Sequence, residues 1–87
     1  MITASQLRAA RALLGIDQRT LADRARLSLP TIQRMEASDG VIRGNVDSLT
    51  KVVQALENMG LELIGDGVAS AGGGRGVRLR ERAPRVS

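Results

Sequence analysis

Residues 18–36, QRTLADRARLSLPTIQRME, constrain the fold of this chain most, because they have the pattern of two short helices joined by a tight turn. Apolar residues recur at helical spacing in both halves, so each helix has one face to bury. These residues are Leu21, Ala22 and Ala25 in the first helix, and Ile32 and Met35 in the second, with Leu27 filling the turn between them.

The second helix of this pair has a well-marked start. Ser28 is a preferred N-cap, and Pro30 is tolerated in the first turn because the N–H groups there have no partner within the helix. The side that faces away from the buried residues then carries Leu29, Pro30, Thr31, Gln33 and Arg34. This set can donate hydrogen bonds, contact methyl groups and carry positive charge, as a helix in the major groove of DNA must.

The spacing over this stretch resembles the helix-turn-helix of the phage-repressor (XRE/Cro) family. The resemblance covers about residues 3–56, and the residues that carry it are Gln18, Leu21, Ala22, Ala25, Ser28, Thr31, Ile32, Arg34 and Glu36. It implies a regulator that binds double-stranded DNA through its second helix. The alternative, two amphipathic helices without a ligand, does not account for the Ala and Ser at the turn followed by a polar outward side.

The composition limits what else the chain can be. With 87 residues it is one small domain, and without Phe, Trp or Tyr its core must be aliphatic and thin, which favours dimerisation as added stabilisation. Since Cys and His are absent, disulfides are impossible and the commonest zinc ligands are missing, so no metal or cofactor is expected. No apolar run has the length of a membrane span and no secretory leader is evident, so a cytoplasmic location is expected.

Charge is unevenly distributed along the chain. Residues 1–43 carry a net charge of +3, residues 44–74 carry −3, and residues 75–87 carry +4. A basic helix-turn-helix region suits a phosphate backbone, and an acidic middle suits a surface that faces away from it.

The remaining patterns predict a mostly α fold: a four-helix, helix-turn-helix repressor-like domain over 1–60, followed by a C-terminal two-stranded β-hairpin over 61–80. A Thr3/Gln6 capping box starts the first helix and Gly15 ends it, while the fourth helix begins near Asn45 and ends at Gly60. The apolar stripe of the fourth helix is predicted to be Val46, Leu49, Val52, Val53 and Leu56.

The short runs 61–64 and 77–80 are predicted to be the two strands, joined by a loose Gly-rich connection, and residues 81–87 are expected to be disordered. Because Val77 and Leu79 alternate on one side, they are expected to pack on the fourth helix or on a second subunit.

Several residue roles follow from the resemblance rather than from spacing. It implies a structural ion pair between Arg11 and Glu36, the alternative being an Arg11 side chain in solvent. A phosphate contact from Gln18 at the start of a helix is also implied, unless Gln18 is a plain surface residue. The loop carrying Arg43 is expected to run past the DNA backbone, with a solvated loop charge as the alternative. Arg26 stands where the family commonly has Gly, so we expect either strain in that turn or a slightly different turn geometry.

Other contacts follow from side-chain chemistry. Ser28 can donate to a phosphate as well as cap the helix. Arg34 suits guanine and Gln33 suits adenine, although Arg34 could equally bind a phosphate. Leu29 and Pro30 are predicted to contact thymine methyl groups, and Thr31 lies beside them among the base-contacting positions.

These inferences predict a transcriptional regulator that binds a partly palindromic operator as a homodimer, with the acidic fourth helix and the hairpin as the dimer surface. One rival is an antitoxin that binds its own promoter and also a toxin. Another is a module that binds only protein, and RNA polymerase is a further possible partner. An enzyme is least favoured, because the chain lacks His, Cys and Tyr and shows no paired, buried carboxylates.

Overall fold

The computed structural model of the chain describes residues 2–64 and 74–80, which form four helices and one pair of strands. The elements in order are α1 (Ala4–Leu14), α2 (Gln18–Ala25), α3 (Leu29–Glu36), α4 (Val46–Asn58), β1 (Leu61–Ile64) and β2 (Gly76–Leu79). The predicted fold class is confirmed. The expectations of a loose connection over 65–73 and of a disordered tail over 81–87 concern segments outside the described residues.

Local capping signals place the helix ends where the sequence predicts them. The Thr3/Gln6 capping box is complete, and Gly15 takes the left-handed conformation that ends α1, with φ of 68°. The side chains of Asp17, Ser28 and Asn45 cap α2, α3 and α4 by accepting backbone N–H groups of the first turn. Each helix therefore begins and ends through contacts within a few residues of its terminus.

Arg26 is the exception among the turns. It adopts the left-handed conformation, with φ of 58° and ψ of 43°, and it is the only non-glycine residue with positive φ in the described part of the chain. The expected strain is therefore present, at a cost of about 1 kcal/mol for a residue with a Cβ atom. The backbone N–H of Leu27 compensates in part by donating to the Ala22 carbonyl oxygen at 2.9 Å.

An aliphatic core joins all four helices and β1. Its fully buried large side chains are Ile2, Leu7, Leu21, Ile32, Val52, Leu56 and Leu61. Helix α2 packs against α3 and α4, and α1 packs against α3 and both strands. One prediction for the core is wrong: Val46 is 68 % exposed, because it is the first residue of α4 and lies outside the packed turns of that helix.

The two strands are antiparallel, with Leu61 opposite Leu79 and Leu63 opposite Val77. On the other face of the pair, Glu62 accepts two hydrogen bonds from the Arg78 guanidinium, at 3.0 and 3.1 Å, and these lower the pKa of Glu62. The expected packing of β2 is corrected. Strand β2 lies on α1 while β1 packs against α4, so Val77 joins the core through α1 and Leu79 remains 51 % exposed.

Gln6 attaches the strands to the helical domain. Its side-chain oxygen accepts from the Thr3 N–H at 2.9 Å, and its amide nitrogen donates to the carbonyl oxygens of Ile64 and Gly76, each at 3.0 Å. Gln6 itself is buried, and its amide nitrogen supplies both of these hydrogen bonds, so a residue that cannot donate would remove them together. The side chain that completes the cap of α1 thus also bridges the two strands at the Ile64–Gly76 pair, the end next to their connection.

We expect Gln6→Glu to destabilise the protein by about 2–3 kcal/mol, because the carboxylate can still accept from Thr3 but cannot donate to the two strand carbonyl groups. Helix-capping preference alone would not predict a loss of stability, since Glu is a favoured residue at this capping-box position. Urea denaturation measures the effect. Gln54→Glu, at an exposed position of α4, is the matched control and should change stability by less than about 0.5 kcal/mol. Equal stability of the two variants would contradict the role of Gln6.

Candidate nucleic-acid interface

The outward side of α3 is held in place by the residues behind it. Ile32 is fully buried and Met35 nearly so, which leaves Pro30, Gln33 and Arg34 exposed and Leu29 and Thr31 half-buried. All the predicted base-contacting positions therefore retain accessible surface. Because α3 has eight residues, these side chains cover about two turns, which is the length a helix presents to a few successive base pairs.

Hydrogen bonds within the protein orient part of the outward side of α3 before any ligand binds. Ser28 Oγ lies 2.8 Å from Thr31 Oγ1 and also accepts from the Thr31 N–H, while Arg34 Nη2 donates to Thr31 Oγ1 at 3.3 Å. The guanidinium of Arg34 is thereby drawn along the helix toward its N-terminus, with its other N–H groups available. The Gln33 side chain makes no hydrogen bond within the described residues, so both its donor and its acceptor are free.

A cleft of about 450 Å³ continues this surface between α3 and the start of α4. Thr31 and Arg34 line one side of the cleft, and Arg43 lines the other. The remaining lining residues are Met35, Ser38, Gly44, Asn45 and Ser48, so no carboxylate borders the cleft. Two guanidinium groups, several small donors and a helix N-terminus form a surface suited to a phosphate group.

The loop that carries Arg43 is fixed by the N-terminal segment of the chain. The Ile42 N–H donates to the Ile2 carbonyl oxygen at 2.9 Å, and Thr3 forms a short antiparallel bridge with Val41. Ile42 is buried, whereas Arg43 directly after it is exposed. The cation is therefore held at the end of an anchored loop.

Glu36, the last residue of α3, is buried and connects three helices. Its carboxylate accepts from Arg11 Nε at 2.5 Å and Nη2 at 2.8 Å, and from the Gln18 amide nitrogen at 3.2 Å. Arg8 donates to its backbone carbonyl oxygen. The ion pair that the resemblance implies between Arg11 and Glu36 is thus present, and the hydrogen bonds to Glu36 raise the pKa of Arg11 above its ordinary value.

The structure brings only some of the predicted phosphate contacts together. Arg43 shares the cleft with Arg34, and Ser28 lies at the adjacent N-terminus of α3. Gln18 instead uses an amide N–H on Glu36, and the Asp17 carboxylate already occupies the start of α2 by accepting the Thr20 N–H at 2.7 Å. This bond lowers the pKa of Asp17, so the carboxylate keeps a negative charge beside any phosphate bound there. The phosphate role of Gln18 stays a prediction.

Sequence reasoning did not identify the small polar residues of the cleft, Ser38, Asn45 and Ser48. Asn45 was identifiable as a helix start, but its proximity to α3 depends on the path of the intervening loop. The contacts of Arg8 and Gln18 with Glu36 were also missed, because they join positions 28 and 18 residues apart.

No protein-family model matches the chain, and no curated protein matches it. Within residues 2–64 and 74–80, no group of three or more His, Cys, Asp or Glu residues has the arrangement of a metal site. In the same part of the chain, no helix has the length and apolar character needed to cross a membrane.

We expect Glu36→Gln to lower the free energy of unfolding by about 2–3 kcal/mol, because it leaves the Arg11 charge, with a side chain only 22 % exposed, without its anionic partner. Chemical denaturation at neutral pH measures the loss. Asp39→Asn removes an exposed carboxylate three residues later and is the matched control, with an expected change below about 0.5 kcal/mol. If Glu36→Gln lowers the free energy of unfolding no more than Asp39→Asn does, the ion pair does not hold the three helices together.

Proposed function

We propose that the protein is a sequence-specific regulator of transcription that binds double-stranded DNA, as the resemblance of residues 3–56 to the phage-repressor (XRE/Cro) helix-turn-helix family implies. The observation that carries the proposal is a continuous surface, without carboxylates, formed by the outward side of α3 and the α3–α4 cleft, which share Thr31 and Arg34. A polar and cationic helix side next to a cationic cleft supplies base contacts and phosphate contacts together. In this proposal the protein acts in the cytoplasm by binding, without a catalytic step or a cofactor.

The proposed division of roles follows the position of each side chain. Arg34 and Gln33 read base edges in the major groove, Leu29 and Pro30 contact thymine methyl groups, and Thr31 supports Arg34 through its hydroxyl group. Arg43 and Ser28 bind the phosphates on the two sides of that groove, with Gln18 as a further backbone contact.

Arg34→Ala and Arg43→Ala are expected to impair DNA binding in different ways. Loss of a base contact relaxes the preference at one base pair, at a cost of about 1–3 kcal/mol, whereas loss of a phosphate contact weakens all sequences alike and reduces the salt slope by about 1. Selection of bound duplexes from random DNA, followed by titration of the best duplex at two salt concentrations, measures both effects. Arg24→Ala, at an exposed Arg near the end of α2 and outside both the proposed DNA contacts and the hairpin, is the control. If no duplex is selected even at low salt, DNA binding is refuted.

The proposed assembly is a homodimer that places two copies of α3 in successive turns of the major groove, about 34 Å apart. In the part of the chain that the structure describes, each strand pairs only with the other, so an edge remains open for a second copy. Leu13 and Leu79, which are 45 % and 51 % exposed, add apolar surface on α1 and β2. The exposed face of α4 carries charged and amide side chains over most of its length, which makes the hairpin the better dimer contact.

We expect the protein to sediment as a dimer at micromolar concentration and Leu79→Lys to sediment as a monomer, because a charge would replace apolar surface at the proposed contact. Val46→Lys places the same charge at a valine on α4 that is 68 % exposed, more than Leu79, and should leave the dimer intact. A monomeric wild-type protein, or equal effects of the two substitutions, would contradict a dimer formed through the hairpin.

A further inference from the structure

A second cationic groove lies between the C-terminal end of α2 and α4, and the proposed DNA contacts do not use it. Arg24, Arg26 and Lys51 line this groove, which has a volume of about 280 Å³. Its other polar residues are Thr50, Gln54 and Asn58, and none of its lining residues is acidic. The groove therefore presents hydrogen-bond donors and positive charge without a neutralising carboxylate of its own.

The two arginines dominate the charge of this groove. Neither Arg24 nor Arg26 makes a side-chain hydrogen bond or an ion pair within the described residues. Lys51 is different, because its amino group lies 3.3 Å from the Asp47 carboxylate one turn earlier on α4. Free guanidinium groups favour carboxylates in particular, since their planar forks can donate two parallel hydrogen bonds to one carboxylate.

The floor of the groove is apolar. Ala25 of α2 and Ala55 of α4 form it, and both are buried where the two helices pack together. Small side chains at both positions leave room above them for a small apolar group. A ligand that fits must therefore combine carboxylates at the rim with small apolar side chains at the floor.

The backbone at Arg26 supplies a separate observation. Glycine would adopt the left-handed conformation there without cost, yet the position carries the longest cationic side chain, and that side chain finds no partner in the described part of the chain. No side-chain contact within the described residues offsets this strain, which points to a role outside the fold. The strained residue and the groove it borders thus indicate the same external ligand.

We propose that the groove between α2 and α4 binds an acidic segment of a partner protein, with glutamate or aspartate side chains on Arg24 and Arg26 and a small apolar side chain on Ala25 and Ala55. Duplex DNA fits less well, because its outer surface is lined by phosphates, whereas an acidic peptide presents carboxylates and small apolar side chains next to each other. The groove also shares no lining residue with the proposed DNA cleft, and its far end at Asn58 lies about 15 Å along α4 from Ser48 of that cleft. The two surfaces can therefore be occupied at the same time.

The probe for this site is a fluorescein-labelled peptide of about ten residues with alternating Glu and Ala, titrated by fluorescence anisotropy. Arg24→Gln combined with Arg26→Gln should weaken binding of the peptide about tenfold, because two bidentate guanidinium–carboxylate contacts are lost. Arg80→Glu changes the net charge by the same amount outside the groove and should weaken binding less than about threefold. If both variants lose the same affinity for the peptide, binding depends only on the net charge of the protein, which would overturn the proposal.

A second variant separates binding from folding. Arg26→Gly retains the turn and relieves its strain, since glycine takes the left-handed conformation freely. It should therefore keep or raise the melting temperature while weakening peptide binding about threefold. Unchanged peptide affinity in this stably folded variant would overturn the role of Arg26.

The location of binding is read from amide chemical shifts of the isotope-labelled protein. The peptide should shift the signals of 24–26 and 50–58 and leave those of α3 unchanged; shifts centred on α3 and Arg43 would overturn the proposal. The doubly substituted variant should also bind nonspecific duplex DNA within about threefold of the Arg80→Glu variant and sediment like the wild type. A selective loss of DNA binding would assign the groove to DNA, and a change of oligomeric state would assign it to a second copy of the chain.

Discussion

The position of α3 depends on the buried carboxylate of Glu36. This group accepts hydrogen bonds from Arg11 of α1 and from Gln18 at the start of α2, so three helices meet at one charge. A buried charge is costly unless it is paired, so arrangements that separate these groups are strongly disfavoured. Helix α3 has only eight residues, and its buried apolar side chains are Ile32 and Met35, so this polar junction and the packing of those two side chains together set the direction of the helix. The exposed side of α3 is accessible as a consequence.

A core without aromatic residues makes such polar connections more important. Aliphatic side chains bury less area each than Phe or Trp, and a two-stranded sheet is marginal by itself. Gln6 offsets this weakness by joining the cap of α1 to both strands, and the segment at Ile2–Thr3 holds the loop before Arg43. The N-terminal residues therefore support the hairpin and the candidate DNA surface at the same time.

The parts of the candidate site that depend on neighbouring residues were predictable from the sequence, and the parts that join distant residues were not. The periodicity of Ile32 and Met35 was enough to identify the exposed side of α3, since burial of one helix face defines the opposite face. The cleft was not predictable as a unit. Ser38 lies near Arg34 because it follows it by one helical turn, but Asn45 and Ser48 reach Arg34 only through the path of the loop and the start of α4. The groove at Arg24 and Arg26 was missed for the same reason, since its other side is formed by α4.

Local signals in the sequence were enough to predict the helix starts, the left-handed turn at Gly15 and the presence of two C-terminal strands, because capping and alternation act within a few residues. Folding of the whole chain was needed to place β2 on α1 rather than on α4, to leave Val46 outside the core and to bring Gln6 to both strands. These outcomes depend on which apolar faces meet when the chain closes on itself. That choice minimises exposed apolar area over the whole molecule, so no short segment encodes it.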